Sequence, residues 1–321
     1  MALRIVFCGT PAFAVPSLEY LRKESDFQIL GVVTQPDRPR GRGQQLHSSP
    51  VKGAALEAGI PVYQPEKIKA DEAYEHFRGL QPDAVVIIAY GQIIPPRLIV
   101  VPRLGWINLH ASLLPKYRGA APINWAILNG EEVTGVTTMQ IDAGLDTGPT
   151  LLQEVVEIGK QETAPELAAR LAVAGAPLMA KTLREFANGQ IAPVPQDHRK
   201  ATFAPPLKKE DGRIDWSLPP VGTYNRIRGL EPWPGAFTMF RGKRCRIWAR
   251  PASPDELRAA DGGAGASAPG TIQPLSSTVL VRSGRSEALR LEFIQVEGRK
   301  RVTAQEFVNG TRLRPGERFD H

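Results

Sequence analysis

Through the first half of the chain, short apolar runs closed by turn residues alternate with amphipathic stretches of helical period. The runs Leu3–Phe7, Ile29–Thr34, Pro61–Tyr63, Ala84–Ala89, Gly105–His110 and Val136–Ile141 read as strands. Between them the spacing predicts helices from Pro11 to about Arg22, over Val51–Ala58, over Asp71–Leu80 and over Pro122–Leu128. Glu166–Asn188 is a further helix, with Gly189 as its stop. Ala84–Ala89 is apolar on both faces, as befits a central parallel strand covered by helices. The alternation predicts a doubly wound, Rossmann-like α/β domain with a parallel sheet over residues 1–189. Ligands of such sheets bind beyond the carboxyl ends of the strands. Tyr90, His110 and Asp142 to Asp146 are expected there.

The pattern changes after Gly189. Residues 190–209 are proline-rich with mixed charges and read as an extended linker. From 210 to 321 the apolar runs are shorter: Arg213–Trp216, Ala236–Phe240, Arg244–Trp248, Val279–Val281 and Leu289–Phe293. Several short strands without helical spacing predict a small, OB-like β-barrel. The Gly/Ala/Ser stretch at 261–270 reads as a mobile loop.

Composition narrows the setting. The 321 residues suffice for two cores, and no apolar run approaches the length of a membrane span. Met1 leads straight into the first strand, so no signal segment is expected. Cys8 and Cys245 fall in different predicted domains and suggest neither a disulfide framework nor a metal cluster. A reducing, cytoplasmic compartment follows. The net charge of +7 is unevenly divided. Residues 190–321 hold 22 Lys and Arg against 14 Asp and Glu, whereas residues 1–189 hold 18 against 19. The C-terminal half is therefore the one that would attract a polyanion such as a nucleic acid.

Candidate chemistry gathers around Asn108-Leu109-His110. Residues i and i+2 of a strand share a face, so Asn108 and His110 can aim at one substrate atom. The Asn108 amide can stabilise a developing oxyanion, and His110 titrates nearest neutral pH. A lone histidine is more often a satisfied core group, but the adjacent amide at a strand end favours function. The turn Ile141-Asp142-Ala143-Gly144-Leu145-Asp146-Thr147-Gly148-Pro149 adds two carboxylates. One of them is expected to cap the turn. Asp146, deeper in the loop, is the candidate partner of His110, where it would support the charged imidazole and accept a proton through water. No serine stands in a nucleophile elbow, no histidine spacing suggests zinc, and Gly9-Thr10-Pro11 is not a dinucleotide fingerprint. Metal and hydride chemistry are thus disfavoured. Residues 34–52 form a long loop in which Arg38, Arg40 and Arg42 alternate with Pro and Gly, which suits phosphate or base contact.

These residues resemble the methionyl-tRNA formyltransferase family over essentially the whole chain. The resemblance is carried by Gly9-Thr10-Pro11, Pro36-Asp37-Arg38-Pro39 with Gly41-Arg42-Gly43, Asn108 to Pro115, Tyr117-Arg118-Gly119-Ala120-Ala121-Pro122-Ile123, Asp142 to Pro149, and Pro232-Trp233-Pro234-Gly235-Ala236. Ala111, where many members have proline, is the one departure in the Asn108–Pro115 motif. The resemblance implies 10-formyltetrahydrofolate as formyl donor, the α-amine of initiator methionyl-tRNA as acceptor, and no metal. It implies Asn108, His110 and Asp146 as catalytic groups. Ser112, Leu113, Leu114 and Pro115 match the folate-contacting loop, and backbone near Ile88, Ala89 and Tyr90 and at Asp142, Ala143 and Gly144 would hold the pterin. Arg42, with Arg38 and Arg40, would read the tRNA acceptor end, and the C-terminal barrel would bind tRNA. A monomer is expected. The rival readings are a formyltransferase for a small amine, a formyltetrahydrofolate hydrolase, and a tRNA- or RNA-binding module without catalysis. The basic C-terminal half argues against the first two, and the intact Asn108/His110/Asp146 set against the third.

Overall fold

The computed structural model describes residues 2–40, 45–261, 268–284, 287–314 and 316–320, with backbone alone for Arg40, Gln45 and Asp261. The chain divides into two compact units. The first contains a seven-stranded sheet built from β1 (Leu3–Gly9), β2 (Phe27–Val33), β3 (Val62–Tyr63), β4 (Ala84–Ile88), β5 (Trp106–His110), β6 (Val133–Gln140) and β7 (Thr150–Glu157). Their spatial order is β7-β6-β5-β4-β1-β2-β3. Pairs from β3 through β5 are parallel, as the βαβ alternation requires. The sheet is mixed, however: β6 runs antiparallel to β5, and β7 antiparallel to β6. The doubly wound, Rossmann-like domain expected from the sequence is present, with these two antiparallel strands added at one edge of its parallel sheet; β7 turns back on β6 because a turn with no crossover helix joins them.

Helices α1 (Val15–Leu21), α2 (Pro50–Glu57) and α3 (Asp71–Leu80) follow the predicted spacing; α4 (Pro96–Ile99), a single turn, was not expected; α5 (Pro122–Leu128) and the long α6 (Ala164–Ala187) again follow it. One core cluster joins alternate residues Val6, Cys8, Val85, Ile87 and Trp106 of the sheet to Ala73 and Phe77 of α3 and to Leu98 of α4. The Trp106 indole N–H donates to the Leu98 carbonyl at 2.7 Å, which satisfies a polar atom buried within it. On α6, Gly175 permits close approach to the sheet: a Cβ there would lie 2.4 Å from Leu109 Cδ2.

Residues 190–205 do not form a free tether. They belong to the first unit, where Phe203–Ala204 pairs in parallel with Arg118–Gly119. Backbone bonds explain the docking: Arg118 N–H donates to the Thr202 carbonyl and Ala121 N–H to the Ala204 carbonyl. The second unit takes residues 206–321 together with 123–132 and 159–165. Those two insertions join it through specific bonds, Asn124 Nδ2 to the Gly229 carbonyl and Arg228 Nη1 to the Gly159 and Glu162 carbonyls.

In the second unit α7 (Pro220–Gly229), α8 (Pro254–Asp261) and α9 (Ala304–Thr311) accompany an antiparallel sheet. Its strands are β8 (Phe237–Phe240), β9 (Lys243–Pro251), β10 (Ile272–Pro274), β11 (Val279–Ser283) and β12 (Glu287–Val296), in the order β8-β9-β12-β11-β10, with the short β13 (Val302–Thr303) paired to β12 off this path. The chain's last residues bridge both free edges, Asp320 to Met239 beside β8 and Arg318 to Thr271 beside β10. That closes the sheet into the small barrel the sequence predicts. Trp216, Phe240, Phe307 and Phe319 fill it. Arg213–Trp216, expected as a strand, makes only a single bridge, Arg213 to Phe237. Most of the loop expected at 261–270 lies outside the described residues.

Glu256 on α8 ties the helix to the barrel. Its carboxylate accepts from Ser253 N–H at 2.8 Å, Arg290 Nη1 at 2.7 Å and Arg250 Nη2 at 3.1 Å. Burial alone would raise this carboxyl, but the Ser253 bond and the two arginines outweigh it and hold it at about 2. A carboxyl lowered below its unfolded value of about 4.3 contributes stability above that pH and loses it as pH falls toward the folded value. Glu256→Gln is expected to lower stability at pH 7 by on the order of 1 kcal/mol. Thermal denaturation should show the gap to wild type narrowing as pH falls from 4 to 3; a constant gap would mean the charge contributes nothing.

Candidate active site

β5 carries Asn108 and His110 on one face, two residues apart. Asn108 is half-buried, and its amide has no hydrogen-bond partner among the described residues. His110 is buried, and both ring nitrogens have defined surroundings. Nε2 lies 2.9 Å from the Tyr117 carbonyl, which can only accept, so Nε2 carries the proton. Nδ1 lies 3.7 Å from Asp146 Oδ2. That is ion-pair distance, and it is too long for a direct hydrogen bond. A neutral ring would present a lone pair to the carboxylate, whereas a charged ring presents an N–H.

Asp146 reaches this position by an unexpected route. Because β6 is antiparallel, Gln140 at its end pairs with Ile107 and the Ile141 N–H bonds the Trp106 carbonyl, at the start of β5. The 141–149 turn therefore leaves from the edge opposite to Tyr90 and His110 and folds back over the face of β5. The turn thus starts at the amino end of β5 and not at the carboxyl ends where it was expected, and Asp146 is brought back to His110, the last residue of that strand. Within the turn, Asp142 Oδ1 accepts from Gly144 N–H at 3.0 Å and from Thr147 Oγ at 2.7 Å, so Asp142 is the capping carboxylate. Ala143 and Gly144 are exposed. Asp146 takes a left-handed φ of 51°, which costs an L residue about 1 kcal/mol, less for Asp than for most. Gly148 lets the turn close: a Cβ there would meet the Gln140 carbonyl at 2.0 Å.

Three consecutive residues hold the pair together. Tyr117 supplies the carbonyl for His110, and Gly119 N–H donates to Asp146 Oδ2 at 2.9 Å. Between them Arg118, buried, donates Nε and Nη2 to Gln196 Oε1, and its Nη1 lies 3.2 Å from His198 Nδ1. Gln196 Nε2 in turn donates to the Asp146 and Gly148 carbonyls. Gln196 offered no signal as a polar residue in a stretch that reads as linker.

The Ser112–Pro115 loop beside the site is buried more than it is open. Ser112 Oγ donates to the Lys116 carbonyl at 2.6 Å, which leaves the backbone with half-buried Leu113 and Pro115 as the loop's contact surface. Thr137 on β6 clamps the loop, donating to the Ser112 carbonyl at 2.6 Å and accepting from Leu114 N–H at 3.1 Å. Gln153 on β7 donates to both Thr137 Oγ1 and the Leu114 carbonyl. At the end of β4, Ile88 is buried while Ala89 is exposed with φ 48°. The Tyr90 ring belongs to the core with its hydroxyl unpaired, and burial pushes that phenol well above its ordinary range. Only the backbone of Tyr90 faces the strand end, where its carbonyl accepts from Thr10 Oγ1 and Gln35 Nε2.

The loop after β2 contains a short hairpin, Arg38–Arg40 with Gln45–His47. Its base is tied by Lys52 Nζ to Asp37 at 2.5 Å, and that contact lowers the Asp37 carboxyl. Arg38 is exposed; Arg42 lies outside the described residues. On the second unit, β9 alternates buried Cys245, Ile247 and Ala249 with outward Arg244, Arg246, Trp248 and Arg250. The Arg244 guanidinium lies 3.8 Å from the Phe237 ring centre, and Arg301 covers both Trp248 and Phe293 at 5.2 and 4.8 Å. No group of three or more His, Cys, Asp or Glu side chains among the described residues is arranged to hold a metal. No described helix is long and apolar enough to cross a membrane.

An amide and an imidazole on a strand face, met by a carboxylate from a folded-back turn, form an arrangement that can serve group transfer at a carbonyl. Residues 3–183 match the Formyl transferase family and residues 206–312 its C-terminal domain. The N-formyltransferase of Helicobacter canadensis, solved in complex with folinic acid and dTDP-3-aminofucose, shares the fold. Its TM-score is 0.65 at 20% identity, over 91% of this chain and 99% of that one. The methionyl-tRNA formyltransferase of Solibacter usitatus is 54% identical over 99% of this chain and 98% of its own length. That of Koribacter versatilis is 52% identical over 96% of each. The chain belongs to the methionyl-tRNA formyltransferase family.

The clamp on the Ser112–Pro115 loop yields a stability prediction. Thr137→Val keeps the shape but strands the Leu114 N–H and half of the Gln153 amide. It should destabilise the protein by about 1–3 kcal/mol, read as a fall in thermal midpoint; an unchanged midpoint would show that the loop does not depend on the hydroxyl.

Proposed function

We infer that this site transfers the formyl group of 10-formyltetrahydrofolate to the α-amine of initiator methionyl-tRNA, giving N-formylmethionyl-tRNA, with Asn108, His110 and Asp146 as its catalytic groups. The observation that carries the residue roles is the commitment of His110 Nε2 to the Tyr117 carbonyl. The ring edge left for substrate is then Nδ1. Because Asp146 stands 3.7 Å away, an N–H at Nδ1 is not consumed by the carboxylate and can point at substrate oxygen. The unpartnered Asn108 amide supplies the second donor. Attack of the neutral amine on the formyl carbon forms the new C–N bond and places charge on the formyl oxygen, which Asn108 and charged His110 stabilise. Breaking the bond from the formyl carbon to the folate nitrogen returns the electron pair to that nitrogen, which takes up a proton while the amine gives one up. Asp146 holds the imidazolium and assists that proton movement. Holding both substrates in one geometry supplies much of the acceleration.

The backbone at Ile88–Tyr90, the Ser112–Pro115 loop and Asp142–Gly144 form the reading for the folate site. In that reading main chain does most of the holding, since the Ser112 hydroxyl and Tyr90 ring are engaged elsewhere. Arg38, Arg40 and Arg42 contact the tRNA acceptor end. The Arg244/Arg246/Trp248/Phe293/Arg301 face meets the RNA backbone and any unpaired base, since cations over rings offer both charge and a stacking surface. Translation initiation places the enzyme in the cytoplasm, and we take it to act as a monomer.

His110→Ala and Asp146→Ala are each expected to reduce formylation of methionyl-tRNA by orders of magnitude with an unchanged thermal midpoint. Near-normal turnover in either would remove that residue from the mechanism. The double variant Arg244→Ala/Arg301→Ala should weaken tRNA binding and flatten its salt dependence by about one to two released counterions; an unaltered slope would move the RNA off this face.

A further inference from the structure

We propose that Gln196, oriented by Arg118, is a positioning residue for formyl transfer, its amide holding the left-handed Asp146 turn against His110. The proposal rests on the reading of Asp146 as a catalytic group. The buried guanidinium of Arg118 donates to Gln196 Oε1 at 3.1 and 2.7 Å. A guanidinium has no acceptor, so the oxygen of the amide must face it and the nitrogen must face the turn. That nitrogen has two hydrogens and two acceptors in reach, the Asp146 carbonyl at 2.9 Å and the Gly148 carbonyl at 2.7 Å. Gln196 is 8% exposed, so water does not compete freely for these bonds.

The two carbonyls are that of the residue with the unfavourable backbone and that of Gly148, two residues beyond it. Returning Asp146 from φ 51° to an ordinary φ would rotate its carbonyl out of reach of Gln196 and swing the carboxylate away from His110 Nδ1. Gly119 N–H alone, bonded to Oδ2, restrains the side chain but not the peptide. An amide is the one neutral side-chain group that accepts from an arginine at one end and donates to two carbonyls at the other. A carboxylate would satisfy Arg118 better and repel the turn. The role therefore separates cleanly from folding.

The test is Gln196→Glu in the full chain, with kcat, both KM values and the thermal midpoint measured together. A carboxylate keeps the acceptor for Arg118 and loses both donors. The expected result is a kcat lower by about 10²-fold, with KM for folate and for tRNA changed less than about threefold and the midpoint held within a few degrees. Should this variant not fold, Arg118→Met/Gln196→Met, which removes both partners at once, takes its place with the same expected split. In an Asp146→Asn background, Gln196→Glu should cost little more than Asp146→Asn alone, because both act through one carboxylate. Wild-type kcat in Gln196→Glu, or losses that multiply in the double variant, would overturn the positioning role. Near-normal turnover of Asp146→Asn by itself would instead overturn the reading of Asp146.

Discussion

The hydrogen bond from His110 Nε2 to the Tyr117 carbonyl is the constraint on which the site depends. A backbone carbonyl cannot donate, so it decides which nitrogen carries the proton and which edge of the ring is left for chemistry. With Nε2 committed inside the protein, Nδ1 is aimed at the space shared with Asp146. A charged ring gives Nε2–H to the carbonyl and holds Nδ1–H at ion-pair distance from the carboxylate without spending it in a hydrogen bond; a neutral one presents a lone pair to the carboxylate. The buried position of His110 keeps that arrangement out of bulk water, where the same charge pair would be worth little.

That bond is only as firm as the Tyr117–Gly119 segment, which has little regular structure of its own. Its anchorage comes from residues 196–204. Thr202 Oγ1 accepts from Tyr117 N–H, the Thr202 carbonyl accepts from Arg118 N–H, and Ala204 pairs with Gly119. A Cβ on Gly119 would lie 2.6 Å from the Ala204 carbonyl, so this close pairing requires glycine there. The polypeptide after α6 thus serves the site in the first unit before the chain continues into residues 206–321 of the second.

Much of this organisation was legible in the sequence, for identifiable reasons. Asp71–Leu80 and Pro122–Leu128 have helical spacing and clear ends, and both appear as read. The alternation of Asn108 and His110 needs only the period of a strand. Strand direction, in contrast, leaves no mark on a run such as Val136–Ile141, so the antiparallel β6 was not foreseen. β7, α7, α8 and α9 were missed because their apolar positions are sparse or interrupted by charge. The residue types predicted that one of Asp142 and Asp146 would cap the turn, and the structure assigns that to Asp142. Thr137, Gln153 and Gln196 act through neutral polar groups whose partners lie far along the chain. No local pattern announces such a pairing.

Both units hold arginines whose side chains rest on groups other than carboxylates. Among the described residues Arg118 has a glutamine and a histidine for side-chain partners and no carboxylate. Its positive charge is therefore not neutralised by an ion pair, and it sits one residue from the Gly119 N–H that binds Asp146. With His110 charged, Asp146 faces one cation directly and is tied through Gln196 to a second. Such a site favours the growth of negative charge on a bound substrate and disfavours a second buried anion of its own. Had residue 196 been acidic, it would have cancelled this field as well as opposing the turn. The neutral amide transmits orientation from Arg118 to Asp146 while leaving the electrostatics in place. In the second unit the same preference takes a surface form, with Arg244 and Arg301 resting on aromatic rings instead of on acids. There the charge without an acidic partner among the described residues faces outward, where it would suit a polyanion; at His110 it is turned inward beside a single carboxylate.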